Sequence, residues 1–96
     1  LLKRGVKDIH LKKAMTTRAL IESMRDVGGF SAQHMVKGND ILKEMISDKD
    51  SFNFLSFPAD IVSTGLRGVL AASVKYFDAI ITTCGTLAHD IARAYG

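Results

Sequence analysis

Ninety-six residues, 47% of them hydrophobic, with five Phe, two Tyr and no Trp, suffice for one small domain with a small core. The net charge of +3 is concentrated, because Lys3, Arg4, Lys7, Lys12 and Lys13 crowd the first thirteen positions against Asp8 alone. That distribution excludes a basic stripe interleaved with aromatics, as nucleic-acid binders carry, and reads as a solvated basic terminus. No apolar run approaches the ~20 residues of a membrane span, and Leu1-Leu2-Lys3-Arg4 lacks the ordered regions of a signal peptide. Cys84, the single cysteine, rules out an internal disulfide and fits a reducing compartment, so the cytoplasm is the expected location. The chain begins without Met and stops at Tyr95-Gly96, directly after a helical stretch, so both ends read as cuts in a longer protein.

Residues 1–15 show no period and read as an extended or loop entry. From the capping residues Thr16 or Thr17, the spacing of Leu20, Ile21, Met24 and Val27 predicts an amphipathic helix that Gly28-Gly29 stops. Phe30 precedes the N-cap candidate Ser31, and with Met35 it has the spacing of a hydrophobic staple. Ala32, Met35, Val36, Leu42, Met45 and Ile46 then predict a second helix to about Ser47, completing a helical hairpin.

Asp48-Lys49-Asp50-Ser51 is a polar loop, followed by a strand at Phe52–Phe57 that Pro58 ends. Ile61, Leu66, Val69, Leu70 and Val74 predict one helix over Asp60–Lys75, with Gly65 and Gly68 inside it. A second strand is expected at Asp78–Thr83, a turn at Cys84-Gly85-Thr86 and a helix at Leu87–Tyr95. Strand, helix, strand, turn and helix make a βαβ unit with parallel strands and a right-handed crossover. The expected fold is α/β: a Rossmann-like parallel-sheet fragment preceded by the helical hairpin. Residues 1–96 read as a single partial domain, with 1–47 helical and 52–96 the βαβ part. Two strands do not complete a doubly wound sheet, so the remainder is expected in further sequence or in a partner chain.

In open α/β sheets ligands bind beyond the carboxyl ends of the strands, which singles out the stretches 57–65 and 83–90. Each joins a strand to a helix start, where free N–H groups favour an anion, although the GxGxxG fingerprint is absent. His89-Asp90 reads either as a substrate-binding or proton-moving pair or as helix-surface residues suiting the dipole. Cys84 reads either as a thiol activated at a helix N-terminus or as a small residue in a tight turn. His10 and His34 have no ligand-like spacing, and no metal motif is present.

Several segments together resemble deoxyhypusine synthases, particularly those of the archaeal type. They are Val6-Lys7-Asp8-Ile9, Gly28-Gly29-Phe30-Ser31-Ala32, Ser63-Thr64-Gly65-Leu66-Arg67, Ile81-Thr82-Thr83-Cys84-Gly85 and the closing stretch from Thr86 to Arg93. The resemblance implies an NAD-dependent transferase that moves the aminobutyl group of spermidine onto a lysine of translation initiation factor 5A. It implies a homotetramer with active sites shared across a dimer interface, and cofactor contacts at Ala59, Asp60, Ile61, Val62, Ser63, Thr83, Cys84 and Gly85. His89 is implied as a cofactor and substrate residue and Ala88 as a substrate residue.

Two departures accompany the resemblance. Eukaryotic members carry Thr-Ser-Asn where this chain has Pro58-Ala59-Asp60, and a Glu-Glu pair where it has Ala88-His89. A neutral histidine cannot balance a polyamine cation as a carboxylate does. Asp60 and Asp90 are therefore candidate replacement acids, and the donor is spermidine or another amine such as agmatine. The family's imine-forming lysine falls in a C-terminal half beyond Gly96, so no catalytic residue is expected here and this chain alone is expected to be inactive. Alternatives are a non-catalytic subunit completing an oligomer, or a related enzyme such as a homospermidine synthase.

Overall fold

The computed structural model describes residues 5–96, so Lys3 and Arg4 of the expected basic terminus lie outside the described residues. The chain divides into two units that meet in sequence between Ser47 and Asp48.

In the first unit, α1 (Thr17–Ser23) starts as the sequence predicts, with the Thr16 hydroxyl accepting the Ala19 N–H at 3.1 Å. It is shorter than its hydrophobic period. Over Met24–Asp26 the chain tightens into a 3-10 turn, and the Asp26 carbonyl accepts the Lys7 N–H at 2.8 Å from the extended entry segment. Gly28, at φ 78, then turns the backbone where a side chain would be strained. The second helix, α2 (Ala32–Ser47), buries Val36 to 1% exposure. The expected staple between Phe30 and Met35 does not form. Phe30 has φ 49 and is fully exposed, because two positive-φ residues in this short connection swing its ring outward.

Arg25 joins the 3-10 turn to α2. Its guanidinium donates to both Asp40 oxygens at 2.7 and 3.1 Å and to both Glu22 oxygens at 2.7 and 2.9 Å. Those hydrogen bonds hold the Glu22 and Asp40 carboxyl groups below their ordinary range and push the guanidinium further up. Carboxyl groups depressed on folding stabilise the native state above their unfolded values, near pH 4, and lose that contribution as pH falls through the native ones. Acid titration followed by circular dichroism should therefore show wild-type stability falling more steeply below about pH 4 than that of Arg25→Met, with the two curves parallel above about pH 5.5.

In the second unit, Asp48 closes the polar loop, accepting the Asp50 N–H at 2.9 Å on its side chain and the Ser51 hydroxyl at 2.9 Å on its carbonyl. Strand β1 (Phe54–Phe57) starts two residues later than the sequence predicts. Phe52 stays outside the ladder, although its ring packs against Phe54 with centroids 5.1 Å apart. Asn53, 7% exposed, sits at the sheet's entry: its N–H donates to the Asp78 carboxylate at 2.7 Å, and its carbonyl accepts the N–H groups of Asp78 and Ala79. Strand β2 (Ala79–Thr82) pairs with β1 in parallel, Phe54 opposite Ala79 through to Phe57 opposite Thr82.

The single helix expected over Asp60–Lys75 is broken into α3 (Asp60–Ser63), α4 (Arg67–Ser73) and a 3-10 turn at Val74–Tyr76. The physical cause lies in the hydroxyl residues at the break. Ser63 donates its side chain to the Asp60 carbonyl at 2.7 Å, Thr64 donates to Ile61 at 2.8 Å, and Thr64 is extended with ψ −176. Helix α5 (Cys84–Tyr95) begins three residues before the predicted Leu87, so Cys84-Gly85-Thr86 is its first turn and not a loop. The architecture is α/β, a two-stranded parallel sheet with helices, preceded in sequence by the helices of the first unit.

Candidate functional site

Thr82, the last residue of β2, organises the carboxyl end of the sheet. Its hydroxyl donates to the Phe57 carbonyl at 2.8 Å, so the Thr86 hydroxyl, 2.6 Å away, donates to Thr82. This chain of bonds ties the end of β1 to the end of β2 and to the first turn of α5. The turn is packed tightly against the segment after β1: a Cβ built on Gly85 would lie 2.8 Å from the Ala59 Cβ. Real carbon atoms keep about 3.5 Å or more apart, so glycine is required at this approach.

The far end of α3 is fastened to α5 by Arg93. Its guanidinium donates to the carbonyls of Val62 at 3.3 Å and Thr64 at 3.0 Å, groups that the end of α3 leaves unpaired. Arg67, at the start of α4, binds the Asp90 carboxylate at 2.7 Å. Gly85, His89 and Arg93 recur at helical spacing on the side of α5 nearest α3, and Thr86 and Asp90 adjoin them. Val62 is the buried hydrophobic residue beneath, at 4% exposure. An apolar cleft of about 460 Å³ opens between α4 and α5, walled by Leu70, Ala71, Val74 and Leu87, floored by Phe57 and Thr82, with Arg67 and Asp90 at its rim.

The stretches Ala59–Ser63 and Thr83–Gly85, singled out in sequence, thus meet directly through Ala59 and Gly85. Ser63 already donates its hydroxyl to a local carbonyl, and Thr83 caps α5 without a side-chain hydrogen bond. His89 is exposed in the second turn of α5, not at its start, and its ring edge approaches the space above Gly85. Ala88 is about 100° round the helix from His89, so the two do not share a face. Asp90, a candidate replacement acid, is occupied by Arg67; Asp60 is exposed and makes no ion pair among the described residues. Cys84 is exposed, as are His10 and His34. Arg67, Thr82 and Arg93 lie in segments that carry the resemblance but were not singled out from sequence as site residues. The signal available was the helical spacing of Thr86, Asp90 and Arg93, which places three polar groups on one side of α5.

Among the described residues no three His, Cys, Asp or Glu side chains cluster as a metal site would need, and no helix is long and apolar enough to cross a membrane.

Parallel strands whose following segments converge at their carboxyl ends define an α/β protein with its candidate site at the helix starts. Comparison with known proteins gives the family. A deoxyhypusine synthase family model matches residues 19–96. A probable deoxyhypusine synthase of Picrophilus torridus is 53% identical over 99% of this chain and 31% of its own length. Similar proteins of the same description from Ignicoccus hospitalis and Thermoplasma acidophilum are 44% and 46% identical, again over 99% of this chain. The chain belongs to the deoxyhypusine synthase family, and it spans about 31% of the length of the Picrophilus torridus relative.

Proposed function

We propose that this chain forms the amino-terminal part of an NAD-dependent deoxyhypusine synthase, which transfers the aminobutyl group of spermidine to a lysine of translation initiation factor 5A. The observation that carries the reading is the Ala59–Gly85 approach, which joins the segments following both strands into one surface at the carboxyl ends of the sheet. Thr83 leaves the first N–H groups of α5 without a side-chain cap, and the helix is long enough for its dipole to favour a phosphate there. Ala59–Ser63, Thr83, Cys84 and Gly85 hold the cofactor, with His89 beside them. When bound, NAD supplies the hydride acceptor and donor; the protein's part is to orient it and exclude water.

With Asp90 held by Arg67, Asp60 is the acid in these segments placed to meet an amine. The reactive lysine comes from the remainder of the protein, which acts in the cytoplasm as a homotetramer. Incubating the full-length protein with NAD, labelled spermidine and the initiation factor is expected to label the factor. Label confined to small molecules would replace this reading with an enzyme using a free amine as acceptor. The 96-residue chain alone is expected to form no deoxyhypusine, and product from it in the same assay would overturn the division of roles.

A further inference from the structure

Helix α3 has four residues, too few for its own hydrogen bonds to hold it. Its carbonyls fall into two groups. Those of Asp60 and Ile61 are taken locally, Asp60 by the Ser63 hydroxyl and Ile61 by the Thr64 N–H and hydroxyl. The carbonyls of Val62, and of Thr64 just beyond the helix, accept only from Arg93 among the described residues, 31 and 29 positions away in sequence. Val62 is 4% exposed, so water has little access to take the place of that donor. The nearby hydroxyls are already committed to Asp60 and Ile61 and cannot take it either.

One side of α5 therefore fixes the segment at both ends, Gly85 admitting Ala59 at its start and Arg93 holding its far end. Eight residues of α5 separate the two points, about 12 Å along its axis, whereas the four residues of α3 advance about 6 Å. Helical side chains lean toward the N-terminus of their helix, so Arg93 reaches back over the difference. Both bonds come from Nη1, and Nη2 and Nε have no acceptor among the described residues. The planar fork of the guanidinium is thus not engaged, and an ammonium group has donors enough to make the same two bonds. The other tie from α5, Asp90 to Arg67, reaches α4 and no carbonyl of α3.

We propose that Arg93 is a positioning residue for the cofactor: by satisfying the Val62 and Thr64 carbonyls it holds Ala59–Ser63 in the conformation that binds NAD, without itself contacting NAD. The proposal rests on the cofactor reading above. Without the guanidinium the two carbonyls must turn to find other donors, and α3 turns with them. The binding conformation then becomes a fraction of the population, and affinity falls by that fraction.

Initial rates and NAD titration calorimetry on variants of the full-length protein test this. Arg93→Met is expected to raise the KM and Kd for NAD about tenfold, as loss of a charged hydrogen-bond donor implies, with kcat at saturating NAD kept within about twofold. Arg93→Lys is expected to recover most of the affinity, and Arg93→Gln, with a neutral donor, to lie between and to serve if Arg93→Met does not fold. Arg67→Met, which removes only the exposed tie to α4, is expected to leave the KM for NAD within about twofold of wild type. A merely structural role would lower kcat with the folded fraction and leave KM unchanged, and that result overturns the proposal. Equal loss in Arg93→Lys and Arg93→Met also overturns it, because a fork gripping the cofactor's phosphates is what lysine cannot replace. An Arg67→Met loss as large as that of Arg93→Met overturns it in favour of a general loosening of α5. Wild-type protein that binds no NAD removes the cofactor reading and this proposal together, whereas wild-type binding with no change in Arg93→Met removes the positioning role alone.

Discussion

Replacing Gly85 with alanine is expected to lower the melting temperature of the full-length protein and, under the proposed cofactor role of this turn, to weaken NAD binding by about tenfold or more, equivalent to about 1.4 kcal/mol. The direction runs against helix propensity, by which alanine is better than glycine by about 1 kcal/mol within a helix. The new Cβ would stand 2.8 Å from the Ala59 Cβ. A methyl group fixed to the backbone cannot rotate away, so α3 must part from α5, and overpacking of this kind costs about 1–3 kcal/mol. The Val62 and Thr64 carbonyls held by Arg93 are displaced with it. Ala59→Gly tests the mechanism, since glycine is tolerated at the N-cap position Ala59 occupies. The double variant Ala59→Gly/Gly85→Ala is expected to regain most of the stability and affinity lost by Gly85→Ala. A higher melting temperature for Gly85→Ala alone would mean that propensity prevails and the approach is not held.

Those parts of the fold that rest on local pattern were legible in the sequence. The Thr16 cap, the extent of α2, the parallel βαβ order and the α/β class follow from capping chemistry and hydrophobic period, and the structure has each of them. The family was legible too, through several weak segments in combination. The break between α3 and α4 was not, because the period through Ile61, Leu66 and Val69 says nothing of hydroxyl groups bonding back to carbonyls at Asp60 and Ile61. Cys84-Gly85-Thr86 looked like a turn because glycine usually marks one. Its real constraint is a neighbour twenty-six positions earlier in sequence, Ala59. Asp90 looked like a ligand for a cation and proved to have one in Arg67, again at long range. Spacing groups Thr86, Asp90 and Arg93 on one side of α5, but the partners through which they position the candidate site lie across the fold, where neither composition nor spacing records them.

Asp78→Ala is expected to destabilise the full-length protein by about 2 kcal/mol, from the opposite end of the sheet. The Asp78 carboxylate accepts the Asn53 N–H at 2.7 Å, and the Asp78 and Ala79 N–H groups share the Asn53 carbonyl at 2.8 and 3.2 Å. This clamp joins the residues preceding β1 and β2 and sets Phe54 opposite Ala79; the Thr82 hydroxyl on the Phe57 carbonyl holds the other end. A slip of one residue would move a strand end by about 3.3 Å and exchange the faces of its side chains. The Ala59–Gly85 approach could not survive that shift, so under the proposed cofactor role NAD affinity should fall together with stability. Asp78→Asn keeps an acceptor for the Asn53 N–H, and the expected order of melting temperature and affinity is wild type, Asp78→Asn, Asp78→Ala. Equal melting of wild type and Asp78→Ala would show that the register is held elsewhere. Because Asp78→Ala and Gly85→Ala both act on the spacing between α3 and α5, the double variant should lose less affinity than the two single losses combined.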